Sequence, residues 1–312
     1  TIGFCNYIGL QSGTYHINEH KPRQGSTLFV YESPHHMLAK LKDRLLTGER
    51  HYYCANSKNQ IINFDEKLQI AKRRGHWNGE WFSVCSDNST DDQTGEIVRD
   101  IDNRVGEWNA LLASPSWGTG ISINEGHPFQ ATWGRFGSNT GTVEQAHQQL
   151  ARARGITEYH VYVDPTERAE PTDPDQILRL DLAEPDAETA KFLKLEDGQL
   201  AFSSNLFEWV YCHVKASVNK SKNNFKGRFL AQAEAEGYSI VHVMKNKMMV
   251  TFGKQDAEEA SERLRRLDML SMVDANLLDD DQIRKAMHGE AVAFGLVVQL
   301  RLERAPELDQ VL

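Results

Sequence analysis

The chain has 312 residues, is 40% hydrophobic, and carries 35 Lys and Arg against 44 Asp and Glu, a formal net charge of -9. A chain of this length can bury a core without disulfide or metal staples. The acidic balance excludes a protein that coats nucleic acid or an anionic membrane over its whole surface, while leaving room for a local basic groove.

Cys5, Cys54, Cys85 and Cys212 are scattered, with no C-x-x-C pair, which argues against a zinc ribbon or a disulfide framework. No apolar run reaches bilayer length and no signal-peptide pattern opens the chain, so the expected location is cytoplasmic, with no membrane partner. Thr1 starts an alternating stretch, Ile2, Phe4, Ile8, that reads as a strand; its α-amine and hydroxyl could together form a nucleophile, against the plainer reading of an ordinary N-terminus.

Short strands are expected up to about residue 32. Ser33-Pro34 then caps and opens a helix whose Met37, Leu38, Leu41, Leu45 and Leu46 share a face, closed by Gly48. Residues 52 to 64 read as a hairpin around Ser57-Lys58-Asn59, and 65 to 74 as a short basic helix. Residues 97 to 112 read as helical. A strand over 129 to 136 leads through Gly137-Ser138-Asn139-Thr140-Gly141 into a helix from Val143 to Arg154, and Glu158 to Val163 is a strand. From Asp164 to Glu188 four prolines sit among nine acidic residues, the composition of a linker.

Beyond it, the order is strand (206–214), basic loop (215–226), helix (228–236), hairpin (238–252) and charged helix (255–270). That order matches most of a ferredoxin-like split βαβ unit. The expected fold class is therefore α+β in two domains. Residues 1–163 form the first, 164–188 the linker, and 189–312 a ferredoxin-like domain with C-terminal helices.

Three constellations bear on chemistry. On a strand, Phe207, Trp209, Tyr211 and His213 would share one face, and Lys215, Lys220, Lys222, Lys226 and Arg228 follow directly. Rings that stack bases beside cations that neutralise phosphates are the chemistry of a nucleic-acid surface. The plainer alternatives are an aromatic face buried at a protein interface and a solvated lysine loop.

Trp133-Gly134-Arg135-Phe136-Gly137-Ser138 resembles the signature of the WGR domain, a nucleic-acid-associated module. The resemblance implies that Trp133 and Arg135 make a second nucleic-acid contact, although a tryptophan packing a strand end would explain the residues as well. Residues 288–306, opening on His288-Gly289-Glu290-Ala291-Val292-Ala293-Phe294-Gly295, resemble a metal-site helix of the glycerol dehydrogenase and dehydroquinate synthase families. That resemblance implies a metal ligand at His288.

The leading expectation is an intracellular nucleic-acid-binding protein, a candidate subunit of a larger assembly. The alternatives are a metal-dependent polyol dehydrogenase-like enzyme and a structural subunit. No catalytic residue or cofactor is assigned.

Overall fold

The computed structural model describes residues 20–117, 122–124, 126–185, 189–196, 199–202 and 204–275. Thr1 and His288, singled out above, lie outside them.

The first unit follows the sequence closely. Strand β1 (Thr27–Tyr31) feeds helix α1 (Pro34–Leu46). Ser33 accepts a hydrogen bond from the His36 amide at 3.4 Å, and proline fills the first turn, where its missing N–H costs nothing. Met37, Leu38, Leu41 and Leu45, at three- and four-residue spacing, are all at most 3% exposed. Burial of each is worth roughly 1.5–3 kcal/mol. Gly48 carries the chain out at φ 93°.

The rest of the main sheet comes from β2 (His51–Ala55), β3 (Trp81–Val84), β4 (Ala110–Ala113), β5 (Ala131–Phe136), β6 (Glu158–Val163) and, much later, β9 (Ser239–Val243). The seven strands are all parallel, in the order β3-β4-β2-β5-β6-β1-β9. Because both faces are covered, β2 and β4 are buried at every position, so their sequences read as continuous runs rather than alternating ones.

Parallel neighbours need right-handed crossovers, and the direction of travel decides which face each connection covers. Helices α1 and α2 (Lys58–Arg73) cover one face, enclosing Tyr53, Phe64, Leu68 and Trp133. Helix α3 (Asp92–Arg99) and helix α4 (Val143–Leu150) cover the other, enclosing Tyr52, Leu111, Phe136 and Tyr159.

Helix α5 (Pro174–Ala183), the hairpin β7 (Leu193–Glu196) and β8 (Gln199–Phe202), and helix α6 (Asn205–Asn223) form a satellite cluster. Its small core is Ile177, Cys212 and Ala216. Helix α7 (Phe225–Glu236) returns to the second face through Phe225, Phe229 and Ala233. Helix α8 (Lys247–Ala275) then packs across α1 and α2.

Helices and strands are mixed, as expected, but the parallel sheet makes the architecture α/β in character, and no ferredoxin-like split unit forms among the described residues. Residues 206–214 belong to helix α6, and 247–252 open helix α8 instead of closing a hairpin. Strand β9 joins β1, across the expected domain boundary. The Asp164–Glu188 stretch contains α5, nucleated by Asp173 accepting from the Asp175 amide at 3.1 Å and anchored by Ile177 at 1% exposure. The expected hairpin at 52–64 is a strand followed by the first turns of α2, and the expected helix at 97–112 ends in β4.

Candidate functional site

In an open parallel sheet, ligands gather outside the carboxyl ends of the strands, where neighbouring strands send their chains to opposite faces. Here β2 and β5 are such neighbours: β2 leads into α2 on one face and β5 into α4 on the other.

Asn56 spans the crevice. Its backbone amide donates to Arg135 O at 3.2 Å, its side-chain amide donates to Gly137 O and Thr140 O at 2.6 Å each, and its carbonyl accepts from the Thr140 hydroxyl. The 137–141 loop is thus clamped against the end of β2. It delivers the chain to α4 through a capping box between Thr142 and Gln145. Asp164 closes the far side; its carboxylate accepts from the Thr166 amide and hydroxyl at 2.8 and 2.6 Å.

A cavity of 150 Å³ sits there, bordered by Ser57, Gln60, Arg135, Ser138 and Asp164. Ser57 precedes α2 in extended geometry, and its side chain makes no capping bond. The first amides of α2 therefore lack a side-chain acceptor and carry the positive end of the helix dipole. Arg135 is half-buried at the end of β5, and its guanidinium makes no hydrogen bond or ion pair among the described residues.

A second cavity of 300 Å³ opens on the other face, bordered by Asn56, Thr140, Gln145, Gln149 and Arg152. The loop after β4 shapes it. Ile123 pairs with Ala153, its amide donating to Arg152 O at 2.8 Å and its carbonyl accepting from the Arg154 amide at 3.0 Å. Arg152 lies over the Trp117 ring at 5.8 Å. The buried Gln149 Oε1 has no hydrogen-bond partner among the described residues.

The expected aromatic ladder is not built. On a helix Phe207 and Tyr211 face one way and Trp209 and His213 another. Phe207 stacks on Phe192 at 4.6 Å, and Tyr211 packs on Phe202 and donates to Asp181 at 2.9 Å. Trp209 stacks on His213 at 4.0 Å. Ser204 starts the helix by accepting from the Phe207 amide, and the Cys212–Ala216 stripe seats it on Ile177.

Lys215 is bound to both oxygens of Asp181, at 2.8 and 2.7 Å. Burial pulls its pKa down, but that pair and the Tyr211 hydroxyl hold it above its ordinary value. Lys220 and Lys222 occupy the last turn of α6, whereas Lys226 and Arg228 begin α7. The basic run is thus split between two helices rather than gathered in one loop.

Trp133 is fully buried and stacked on His160 at 3.9 Å, so it is not available for the nucleic-acid contact expected of it, whereas Arg135, two residues on, reaches the cavity. Among the described residues no group of His, Cys, Asp and Glu is arranged to hold a metal ion. No helix among them is long and apolar enough to cross a membrane.

The sequence reading missed Asn56, Ser57 and Arg152. The signal for Ser57 was its place as a helix cap directly after a buried strand, which the hairpin assignment obscured.

No family model matches the chain, and no curated protein matches it. Among solved structures, the crystal structure of the DUF1998 helicase MrfA bound to DNA is similar at a TM-score of 0.33 and 16% identity, over 58% of this chain. The similarity spans 26% of that helicase's length.

Proposed function

We propose that the chain is a nucleic-acid-binding domain whose contact surface is the carboxyl edge of the parallel sheet. The observation that carries this reading is the crevice between β2 and β5, where the start of α2, without a side-chain cap, lies beside Arg135, a guanidinium with no ion pair among the described residues. Helix N-terminal amides and arginine forks are the groups that take backbone phosphates. The Ser57 hydroxyl adds a neutral donor along the same edge. A local site of this kind is compatible with a net charge of -9, because steering depends on the field at the crevice and not on the total.

The 300 Å³ cavity favours a companion role. Arg152, an arginine fork for the phosphate, and Gln149 Oε1, a buried acceptor without a partner among the described residues for a base or sugar donor, suit a nucleoside phosphate better than a stretch of strand. The sequence has no Gly-x-x-x-x-Gly-Lys loop of its own to cradle a triphosphate. In this reading Arg152 meets a phosphate held mainly by another domain or subunit.

Fluorescence anisotropy of labelled single-stranded and duplex DNA and RNA, across about 50 to 200 mM salt, tests the main reading. Affinity falls as salt rises, and Arg135→Ala lowers the salt slope by about 1 while weakening all sequences alike. Affinity that ignores salt, or that Arg135→Ala leaves untouched, rejects it.

A further inference from the structure

The two edges of the main sheet are finished differently. At β3 the bonds to β4 leave from Glu80 and Val84, whose carbonyls accept from the Asn109 and Ser114 amides at 2.7 and 2.9 Å. Backbone groups alternate sides along a strand, so those of Ser83 and Cys85 point outward. Asn88 folds back over them. Its side-chain amide donates to Ser83 O at 2.8 Å, and its side-chain oxygen accepts from the Cys85 amide at 2.9 Å.

β9, at the opposite edge, has no such cover. The Ser239 amide donates to Ser26 O at 2.9 Å, which turns residues 239, 241 and 243 toward β1 and leaves the N–H and C=O of Ile240 and His242 facing outward. Among the described residues no hydrogen bond reaches those four groups. Sheet edges are ordinarily blunted by lysine, proline or a bulge. β9 reads Ser-Ile-Val-His-Val, of ordinary strand length and in unbroken register with β1.

The side chains on and just after this open row are apolar and uncovered. Val241, Met244, Met248 and Phe252 are each at least 42% exposed. Val241 lies on the sheet face that carries α1, because Val243 packs into that core and Ile240 into the opposite one. Met248 and Phe252, four residues apart, share one side of α8 as it leaves the strand. Methionine adapts its shape to varied apolar partners.

From this contrast between the edges we infer that β9 is the docking edge for an extended segment of a partner protein, which adds as an eighth strand and carries apolar residues alternating with carboxylates. Charge selects the carboxylates. Lys21 sits at the amino end of β9, where a Cβ added to Gly237 would lie 3.0 Å from the lysine Cβ, and Lys245 and Lys247 follow the carboxyl end. All three are exposed and make no ion pair among the described residues. The nearby carboxylates are Glu32, which accepts from the Lys245 amide at 3.2 Å, and Glu234 and Glu236 in the last turn of α7, where His147 and Gln232 engage Glu236. A second copy of this chain fits less well. Antiparallel pairing about Val241 would set Lys245 of each copy opposite Gly237, and so near Lys21, of the other. A lipid surface fits less well too, since hydrocarbon offers an open backbone row no partner. The edge stands apart from the crevice between β2 and β5 and does not depend on nucleic-acid binding there.

The experiment uses the whole chain and an acetylated, amidated octapeptide of alternating glutamate and valine, titrated to about 1 mM by calorimetry. The peptide binds, and two N-methylated versions separate strand addition from loose attraction. In an extended peptide the valine amides leave by one edge and the glutamate amides by the other. Methylating one set therefore abolishes binding, methylating the other leaves it nearly unchanged, and the sensitive set gives the direction of the added strand. The counterpart with lysine in place of glutamate binds roughly 10-fold more weakly, the combined worth of a few exposed ion pairs.

On the protein, His242→Pro removes an outward N–H and no bond to β1, so it keeps the sheet and lowers peptide affinity roughly 3- to 10-fold, the net worth of one hydrogen bond. Lys245→Glu combined with Lys247→Glu weakens binding at low salt, and the difference shrinks as salt rises. Should His242→Pro fail to fold, the two methylated peptides decide the matter on the wild type. Absent binding, or an equal response to the two methylated sets, overturns the proposal. Dimerisation in sedimentation that His242→Pro abolishes assigns the edge to a second copy, and binding to vesicles of phosphatidylcholine and phosphatidylglycerol without peptide binding assigns the patch to lipid; either result overturns it as well.

Discussion

Gly253 decides how closely α8 can approach α1, and replacing it sets two effects of known size against each other. In most helix interiors Gly→Ala stabilises by up to about 1 kcal/mol, because alanine loses less backbone freedom on folding. At Gly253 an added Cβ would lie 2.8 Å from the His35 carbonyl carbon and 3.1 Å from its Cα, and closer still to the carbonyl oxygen. These are backbone atoms, so no rotamer change relieves the contact. α8 must back away by on the order of 0.5–1 Å, which forfeits a quarter to a half of the dispersion attraction across the interface. It also stretches the 3.3 Å His35–Gly253 hydrogen bond.

Overpacking of this kind costs roughly 1–3 kcal/mol. Gly253→Ala therefore gains nothing and is net destabilising by up to about 2 kcal/mol once the propensity gain is subtracted. Gly95, inside α3, provides the control, since the nearest atom to its added Cβ is the tip of the flexible Arg99 side chain at 3.9 Å. Gly95→Ala should gain stability by up to about 1 kcal/mol. Urea unfolding followed by far-ultraviolet circular dichroism reads both. Equal stabilisation by the two variants would refute the close packing of α8 on α1.

Further expectations concern other regions. Burial lowers the pKa of His51 and of His160 to about 4; Arg44 adds to the effect at His51, while Glu158 opposes it at His160. The unfolded chain binds these protons near 6.5, so stability is fully present above that pH and falls as pH drops toward 4, by at most about 1.4 kcal/mol per unit for each ring. Urea midpoints that stay level from pH 7 to 5 would contradict this. Ser204→Ala should cost about 1 kcal/mol as a lost helix cap; no loss in chemical denaturation would count against the helix at 205–223. Ile177→Ala should cost about 2–4 kcal/mol and loosen α5 from α6, read as faster proteolysis between residues 165 and 203. A cleavage pattern identical to the wild type would show that α5 is held by something else.

Where one side of an element faces solvent, the sequence announces it. α1 was legible because Ser33-Pro34, a three-four apolar stripe and Gly48 all agree. β5 and β6 were legible as isolated strands; β9 was legible as a strand, but as half of a hairpin whose other half is the start of α8. Their assembly was not, since the partners of β1 lie at 158–162 and 239–243, far along the chain and marked by no local pattern.

The misreading of 206–214 has a specific cause. Phe207 to Val214 is rich in aromatic and β-branched residues, and its alternation satisfies a strand. The Cys212–Ala216 spacing that seats it as a helix involves two small residues, a weak signal until Ile177 is known to lie opposite. Of the site, Arg135 was flagged for its neighbours and not for its place at the end of β5. Asn56 and Ser57 were hidden inside the expected hairpin at 52–64, which placed them away from any helix start.

The place of β1, one strand in from the sheet edge, has a consequence for how the chain comes to be folded. Its flanks are filled by β6 and β9, both made long after it, so during synthesis its Leu28 and Val30 must wait on the order of ten seconds for the first neighbour at ordinary elongation rates, and longer for the second. A chain halted before residue 239 leaves one row of β1 backbone groups without their mate, an open template for pairing with other copies. β9 thus moves the sheet edge from the largely buried β1 to a strand that is exposed along most of its length.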